Sequence, residues 1–314
     1  MNIVKLKPYC KSAIWGGDKL RLYYGKEASF NVAESWELSG YPGKESEVCG
    51  GAYDGQKITE IIEKQGQKIL GTKASGYKGL PLLIKLIDSA TPLSVQVHPD
   101  DETAKRLNAD GGKTEMWIIC ESEKDSYIYF GVREKISSEL FGKAIKDGTI
   151  TEYLNKIPVK PGDTFFIKAG TVHAIGAGIT LCEIQQTSDT TYRLFDYNRI
   201  DSDGKPRELH IEKGTKAADL NPPDRFYESG IQLGNEIQLV SCEYFTVSRI
   251  EVKEKTYTEV DNESFASFTV INGEGRVVCN DESFSVKKGD TFMAFAGSGE
   301  IEFSGIFSVI KATL

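Results

Sequence analysis

The chain has 314 residues, of which 39% are hydrophobic and 27% charged. That is room for two domains, or one large one with insertions, and an ordinary globular composition with a core to bury. The net charge of −8 excludes nucleic acid as the expected partner, since a phosphate backbone needs a basic surface; an anionic substrate would need a locally basic pocket.

The six cysteines, Cys10, Cys49, Cys120, Cys182, Cys242 and Cys279, are scattered without a Cys-x-x-Cys. The opening Met1-Asn2-Ile3-Val4-Lys5-Leu6 lacks a signal-peptide core, and no stretch approaches the ~18 apolar residues of a membrane span. Reduced thiols in the cytoplasm are the simplest expectation, with no membrane contact.

Taken in chain order, Trp36 in Glu34-Ser35-Trp36-Glu37 reads as core packing rather than a platform for sugar. Ile58, Ile61, Ile62, Ile69 and Leu70, followed by Gly71, predict a helix over 58–70. Short runs rich in β-branched and aromatic residues predict strands over 82–86, 93–98, 115–120, 127–130, 163–168 and 179–185. Among them, Asp100-Asp101-Glu102 opens a short helix with an acidic first turn. Residues 136–154 predict two short helices broken at Gly148, with Ser137 or Ser138 as the cap.

Asn221-Pro222-Pro223-Asp224 reads as a linker. Beyond it, 240–314 is almost all strand signal. There Val286-Lys287-Lys288-Gly289-Asp290-Thr291-Phe292 echoes Val159-Lys160-Pro161-Gly162-Asp163-Thr164-Phe165. This weak repeat suggests two β-barrels of similar topology. The expected molecule is mainly β, with a metal-binding domain over 1–224 that includes helical segments around 58–70 and 136–154. A C-terminal β domain without metal takes 225–314.

Two of the three histidines point to a metal. Gln96 and His98 are two apart, so on a strand they share one face. Glu115 opens an apolar run, and His173 follows a Pro-Gly-Asp turn, a strand and a Gly-Thr turn. Two imidazoles, a carboxylate and an amide oxygen suit Zn²⁺, less decisively Fe²⁺ or Mn²⁺, and three strong ligands with an open position describe a catalytic site. The bland alternative makes both histidines satisfied and half-buried, Glu115 a solvated strand edge, and Gln96 only a hydrogen-bonding amide. The second copy of the repeat has no histidine after its strand, so only the first would hold metal. His210 has no partner that can be named.

Together these segments resemble a known family. Gln96-Val97-His98-Pro99-Asp100, Gly112-Lys113-Thr114-Glu115-Met116-Trp117, Gly170-Thr171-Val172-His173 and Ser188-Asp189-Thr190-Thr191-Tyr192-Arg193 occur in the order found in type I mannose-6-phosphate isomerases of the short bacterial kind. The resemblance implies two cupin (jelly-roll) barrels with a small helical insert. It implies one Zn²⁺ per chain on Gln96, His98, Glu115 and His173, and interconversion of mannose 6-phosphate and fructose 6-phosphate. Arg193 matches the active-site arginine, and Lys85, Ser94 and Lys113 match substrate-pocket positions. Compared with the longer eukaryotic members, the helical insert is shorter and the C-terminal part compact.

An aldose–ketose isomerase must stabilise charge on the sugar oxygens, move a proton between adjacent carbons through an enediol, and anchor the phosphate. Arg193 would offset charge or hold phosphate, with Lys85, Ser94 and Lys113 around the anion. Glu183 is one candidate for the base and Lys113 its rival. Bland readings stand beside these: Lys85 an edge residue with its head in water, Ser94 a small strand residue, Asp189 and Arg193 a loop ion pair. Another metal-dependent cupin enzyme, an oxygenase or an isomerase acting on a small sugar or sugar phosphate, is the alternative function; a non-catalytic sugar-binding cupin is a third. Oligomeric state is unreadable.

Overall fold

The computed structural model describes residues 2–201 and 204–314. Strands hold 41% of the chain and helices 16%, so the protein is mainly β. Contacts divide it into two compact units. One takes the chain up to Lys11, Asp18–Leu86 and Ser229–Leu314; the other takes Ser12–Gly17 and Ile87–Glu228.

The first unit holds a ten-stranded sheet whose long strands are Ala266–Cys279 and Gly299–Thr313. Alternating residues turn Phe268, Val270, Val277, Phe303 and Val309 into one core, where Phe268 stacks on Phe292 at 4.8 Å. The N-terminal strand Ile3–Lys7 joins this sheet, with Ile3 opposite Ala294. Trp36 is fully buried, as expected of a core residue, and donates to Glu34 at 2.8 Å. Burial would raise the Glu34 carboxyl, but the ammonium groups of Lys85 and Lys11 outweigh it and hold the group at about 2.

The helix expected over 58–70 is shorter than predicted. It runs Ile58–Gln65, stops at Gly66 with φ of 83°, and gives way to a 3-10 turn over Gln67–Leu70. Ile69 and Leu70 therefore continue the apolar pattern without continuing the helix. Gly71 also has positive φ, and a Cβ there would meet the Glu263 carbonyl oxygen at 2.4 Å.

The second unit is built of two sheet regions. Glu115–Ser122 lies between Thr164–Ile167 and Ile179–Gln186. A five-stranded sheet runs in the order Tyr192–Phe195, Val95–Val97, His173–Ile175, Tyr127–Val132, Leu154–Pro158. Ring contacts join the two, Trp117 to His173 at 5.3 Å and Phe130 to Phe165 at 6.2 Å. A helix over Ser138–Lys146 covers the outside of the five-stranded sheet, burying Phe141, Ala144 and Ile145. Ser137 is its cap, accepting from the Leu140 amide at 3.2 Å, and Gly148 at φ 72° breaks it from a 3-10 turn over Ile150–Tyr153. The proline pair of the expected linker carries no helix or strand, and Pro223 lies where a Cβ on Gly131 would meet it at 2.8 Å.

The sequence echo is a structural one at the turn. In each copy the Asp carboxylate accepts the amide of the residue three before it, Lys160 to Asp163 and Lys287 to Asp290, both at 2.9 Å. The glycines before them have φ of 90° and 91°. The strands that follow pair antiparallel with Glu115–Ser122 in one copy and Ala266–Cys279 in the other. The two β-barrels suggested by that echo are not found closed: among the described residues each sheet is an open path of strands.

Candidate active site

Period-two alternation aims the functional residues. Val95 and Val97, Val172 and Ala174, and Tyr192 and Leu194 all enter the core under the Ser138–Lys146 helix. Their neighbours Gln96, His173 and Arg193 must then face the other way. Strand register sets these three abreast, Arg193 opposite Gln96 and Gln96 opposite His173. From the other sheet Glu115 and Trp117 point toward the same space, with Glu183 paired opposite Trp117.

Ligand atoms of His98, Glu115 and His173 all lie within 4.8 Å of one another, and all three residues are buried. His173 Nε2 is 3.4 Å from one Glu115 oxygen and His98 Nε2 is 3.6 Å from the other. Each imidazole Nδ1 meets a backbone carbonyl, His98 on Thr190 at 2.7 Å and His173 on Thr171 at 2.8 Å. A carbonyl only accepts, so both Nδ1 atoms carry the proton and both Nε2 lone pairs face Glu115. Burial, aided by the Lys113 charge, pulls the His173 pKa down to about 4 against the opposing carbonyl bond; its ring is neutral at pH 7, the ligating form. The Gln96 amide nitrogen is 3.3 Å from His173 Nε2. Two imidazoles, a carboxylate and a side-chain amide fit a divalent metal of the zinc kind.

Lys113 brings a cation to this cluster. Its ammonium donates to Glu115 at 2.5 Å, lies 3.2 Å from His98 Nε2 and is 3.8 Å from Glu183. The loop that carries it is fixed by the short helix Asp101–Arg106. Asp100 caps that helix on Thr103 at 2.7 Å, and Asp101 accepts the Gly112 amide at 3.0 Å. A Cβ on Gly112 would meet the Asp101 amide nitrogen at 2.6 Å, so this close approach needs glycine. Glu183 accepts the Trp117 indole proton at 3.0 Å.

Ser94 is buried one residue before the Val95–Val97 strand. Arg193 donates to the Glu208 carbonyl at 2.9 Å, and its buried Nε has no hydrogen-bond partner. The Asp189 backbone amide donates to the Asp110 carboxylate at 3.2 Å. Lys85 belongs to the first unit, 3.8 Å from Glu34 and over the Trp36 ring at 4.8 Å.

Residues 3–116 match the family model for the phosphomannose isomerase type I catalytic domain, and residues 235–314 that for the mannose-6-phosphate isomerase cupin domain. The mannose-6-phosphate isomerase ManA of Bacillus subtilis is 36% identical over 98% of this chain and 98% of its own length. The chain belongs to the type I mannose-6-phosphate isomerase family. Another relative, the mannose-6-phosphate isomerase of Streptococcus mutans, is 34% identical over 95% of this chain and 94% of its own. The crystal structure of the mannose 6-phosphate isomerase from Bacillus subtilis superposes with a TM-score of 0.90 at 32% identity, covering all of both chains.

In this family member several neighbours of the cluster carry no sequence signal. His210 is one: its Nδ1 accepts the Arg193 amide at 3.0 Å, so it braces that strand. Asp196, Arg199 and Arg207, gathered beside Arg193, sit in a loop without periodicity. The motif Ser188-Asp189-Thr190 was legible, but its work was not. Thr190 orients His98, and Ser188 donates to the Gly111 carbonyl at 3.1 Å.

Proposed function

We propose that this chain interconverts D-mannose 6-phosphate and D-fructose 6-phosphate, with one Zn²⁺ held by His98, Glu115 and His173 and by Gln96 once its amide oxygen turns inward. The observation that carries the reading is the buried His98, Glu115 and His173 cluster, in the same unit as Arg193, whose buried Nε has no hydrogen-bond partner among the described residues. When bound, the metal would polarise and position the sugar oxygens as a Lewis acid.

The chain's own residues do the rest. Arg193 offsets charge developing on the enediol oxygens. Ser94, Lys85 and Lys113 are assigned to the phosphate end by their place in the family motifs. Of the two candidates for proton transfer, Glu183 is favoured: its carboxylate is buried and braced by Trp117, whereas the Lys113 ammonium already serves Glu115. In this reading residues 1–224 hold the metal and 225–314 form a metal-free β domain, both of cupin type. No helix among the described residues is long and apolar enough to cross a membrane. We assign the protein to the cytoplasm on its kinship.

The test is a coupled fructose 6-phosphate assay. Chelation with EDTA is expected to abolish turnover and added Zn²⁺ to restore it. Full turnover by metal-free protein would overturn the reading.

A further inference from the structure

Two residues after Glu183, the strand Ile179–Gln186 carries a second polar side chain on the same face. Gln185 is fully buried and stands in register opposite Glu115. Its Nε2 donates to the Gln186 carbonyl at 2.8 Å and to the Ser188 carbonyl at 2.7 Å. A carbonyl only accepts, so these two bonds fix which end of the amide is nitrogen. The other end, Oε1, is buried with no hydrogen-bond partner among the described residues. An unpaired buried amide oxygen costs stability, and an apolar side chain would escape that cost. What offsets it is whatever the nitrogen holds.

The nitrogen holds a turn. Residues 187–191 belong to no helix or strand, yet Ser188 is fully buried. Ser188 Oγ donates to the Gly111 carbonyl at 3.1 Å and accepts the Thr190 amide at 3.2 Å. Thr190 Oγ1 accepts the Asp110 amide at 3.2 Å. The Thr190 carbonyl then takes the His98 Nδ1 proton at 2.7 Å. The path from Gln185 to a ligating imidazole thus runs through Ser188 and Thr190 without leaving the turn.

We propose that Gln185 is a positioning residue for the metal site: its amide locks the 186–190 turn so that the Thr190 carbonyl keeps His98 Nε2 in the ligating direction. The inference rests on the metal-dependent reading of this site. An imidazole whose outer partner slips can turn or change tautomer, and metal affinity falls with it.

Gln185→Met keeps the length of the side chain and removes both donors together with the unpaired oxygen. In full-length protein stripped of metal and titrated with Zn²⁺ against a competing chelator, the zinc Kd is expected to rise about 10–100-fold, with the circular dichroism of the metal-free protein unchanged. A merely structural role would instead lower the unfolding midpoint of metal-free protein and leave the zinc Kd alone. Co²⁺ loaded in place of zinc gives a second readout, since its visible absorption bands shift when a ligating imidazole is displaced. Gln185→Glu separates positioning from charge. It keeps the shape and puts a negative charge opposite Glu115, so simple electrostatics tightens zinc, whereas loss of the donors weakens it; weakening is expected. Thr180→Val alters another buried residue of this strand, one whose hydroxyl has no partner among the described residues, and should leave the zinc Kd at the parent value. Parent zinc affinity in folded Gln185→Met, or tighter zinc in Gln185→Glu, would overturn the proposal. Should neither variant fold, Ser188→Ala cuts the next link, and an unchanged zinc Kd there overturns it equally. If the parent bound zinc but failed to isomerise mannose 6-phosphate, the functional reading would fall while the zinc titration still judged this one.

Discussion

A histidine is committed as a metal ligand by what its other nitrogen does. Thr190 and Thr171 settle this for His98 and His173, and neither carbonyl is visible in a spacing pattern. Arg193 is the residue whose removal should separate chemistry from metal. It lies in register with Gln96, and its guanidinium donates to the Glu208 carbonyl. Arg193→Ala is therefore expected to lower kcat by about 10²–10³ with zinc content unchanged, the scale seen when a group facing developing charge is removed. Zinc lost together with activity would show that Arg193 acts through the metal site. Gln96 and His98, two apart, were legible because strand alternation is a local rule. Asp196, Arg199 and Arg207 were not, because an irregular loop has no period to read.

At the scale of elements, the support of Lys113 is a loop pressed onto a helix N-terminus. The Gly112 approach to Asp101 leaves no space for a methyl group. Gly112→Ala should destabilise the fold by about 1–3 kcal/mol through overpacking and displace Lys113, so that kcat falls as well. Denaturant unfolding and turnover on one sample check both; a fall in stability with turnover intact would show that Lys113 needs no such placement. Strand positions from 82 to 185 were readable from composition, and the cap from residue type only as far as Ser137 or Ser138. The end of the 58–70 pattern was misread because Ile69 and Leu70 keep the helical spacing, while Gly66 breaks the backbone. Short strands such as Glu34–Leu38, buried at every residue, have no alternation to betray them.

For the whole molecule, kinship and geometry agree on an isomerase of sugar phosphates, although the chain is acidic. The −8 is an average over the chain, within which Arg193, Arg199 and Arg207 gather around Asp196. The mainly β class was plain in the sequence. The pairing of Ile3–Lys7 with Thr291–Ala294 was not, since partners nearly a chain length apart leave no mark in either segment. The Gly-Asp turn was different: both copies keep their residues because both need positive φ followed by a carboxylate that caps the turn. The most direct measurement is zinc per chain by metal analysis after chelation, reloading and dialysis, for the parent, His98→Ala and His173→Ala, each with its fold checked by circular dichroism. The account predicts one zinc in the parent and its loss, with activity, in either folded variant; full zinc retained in both variants would contradict it.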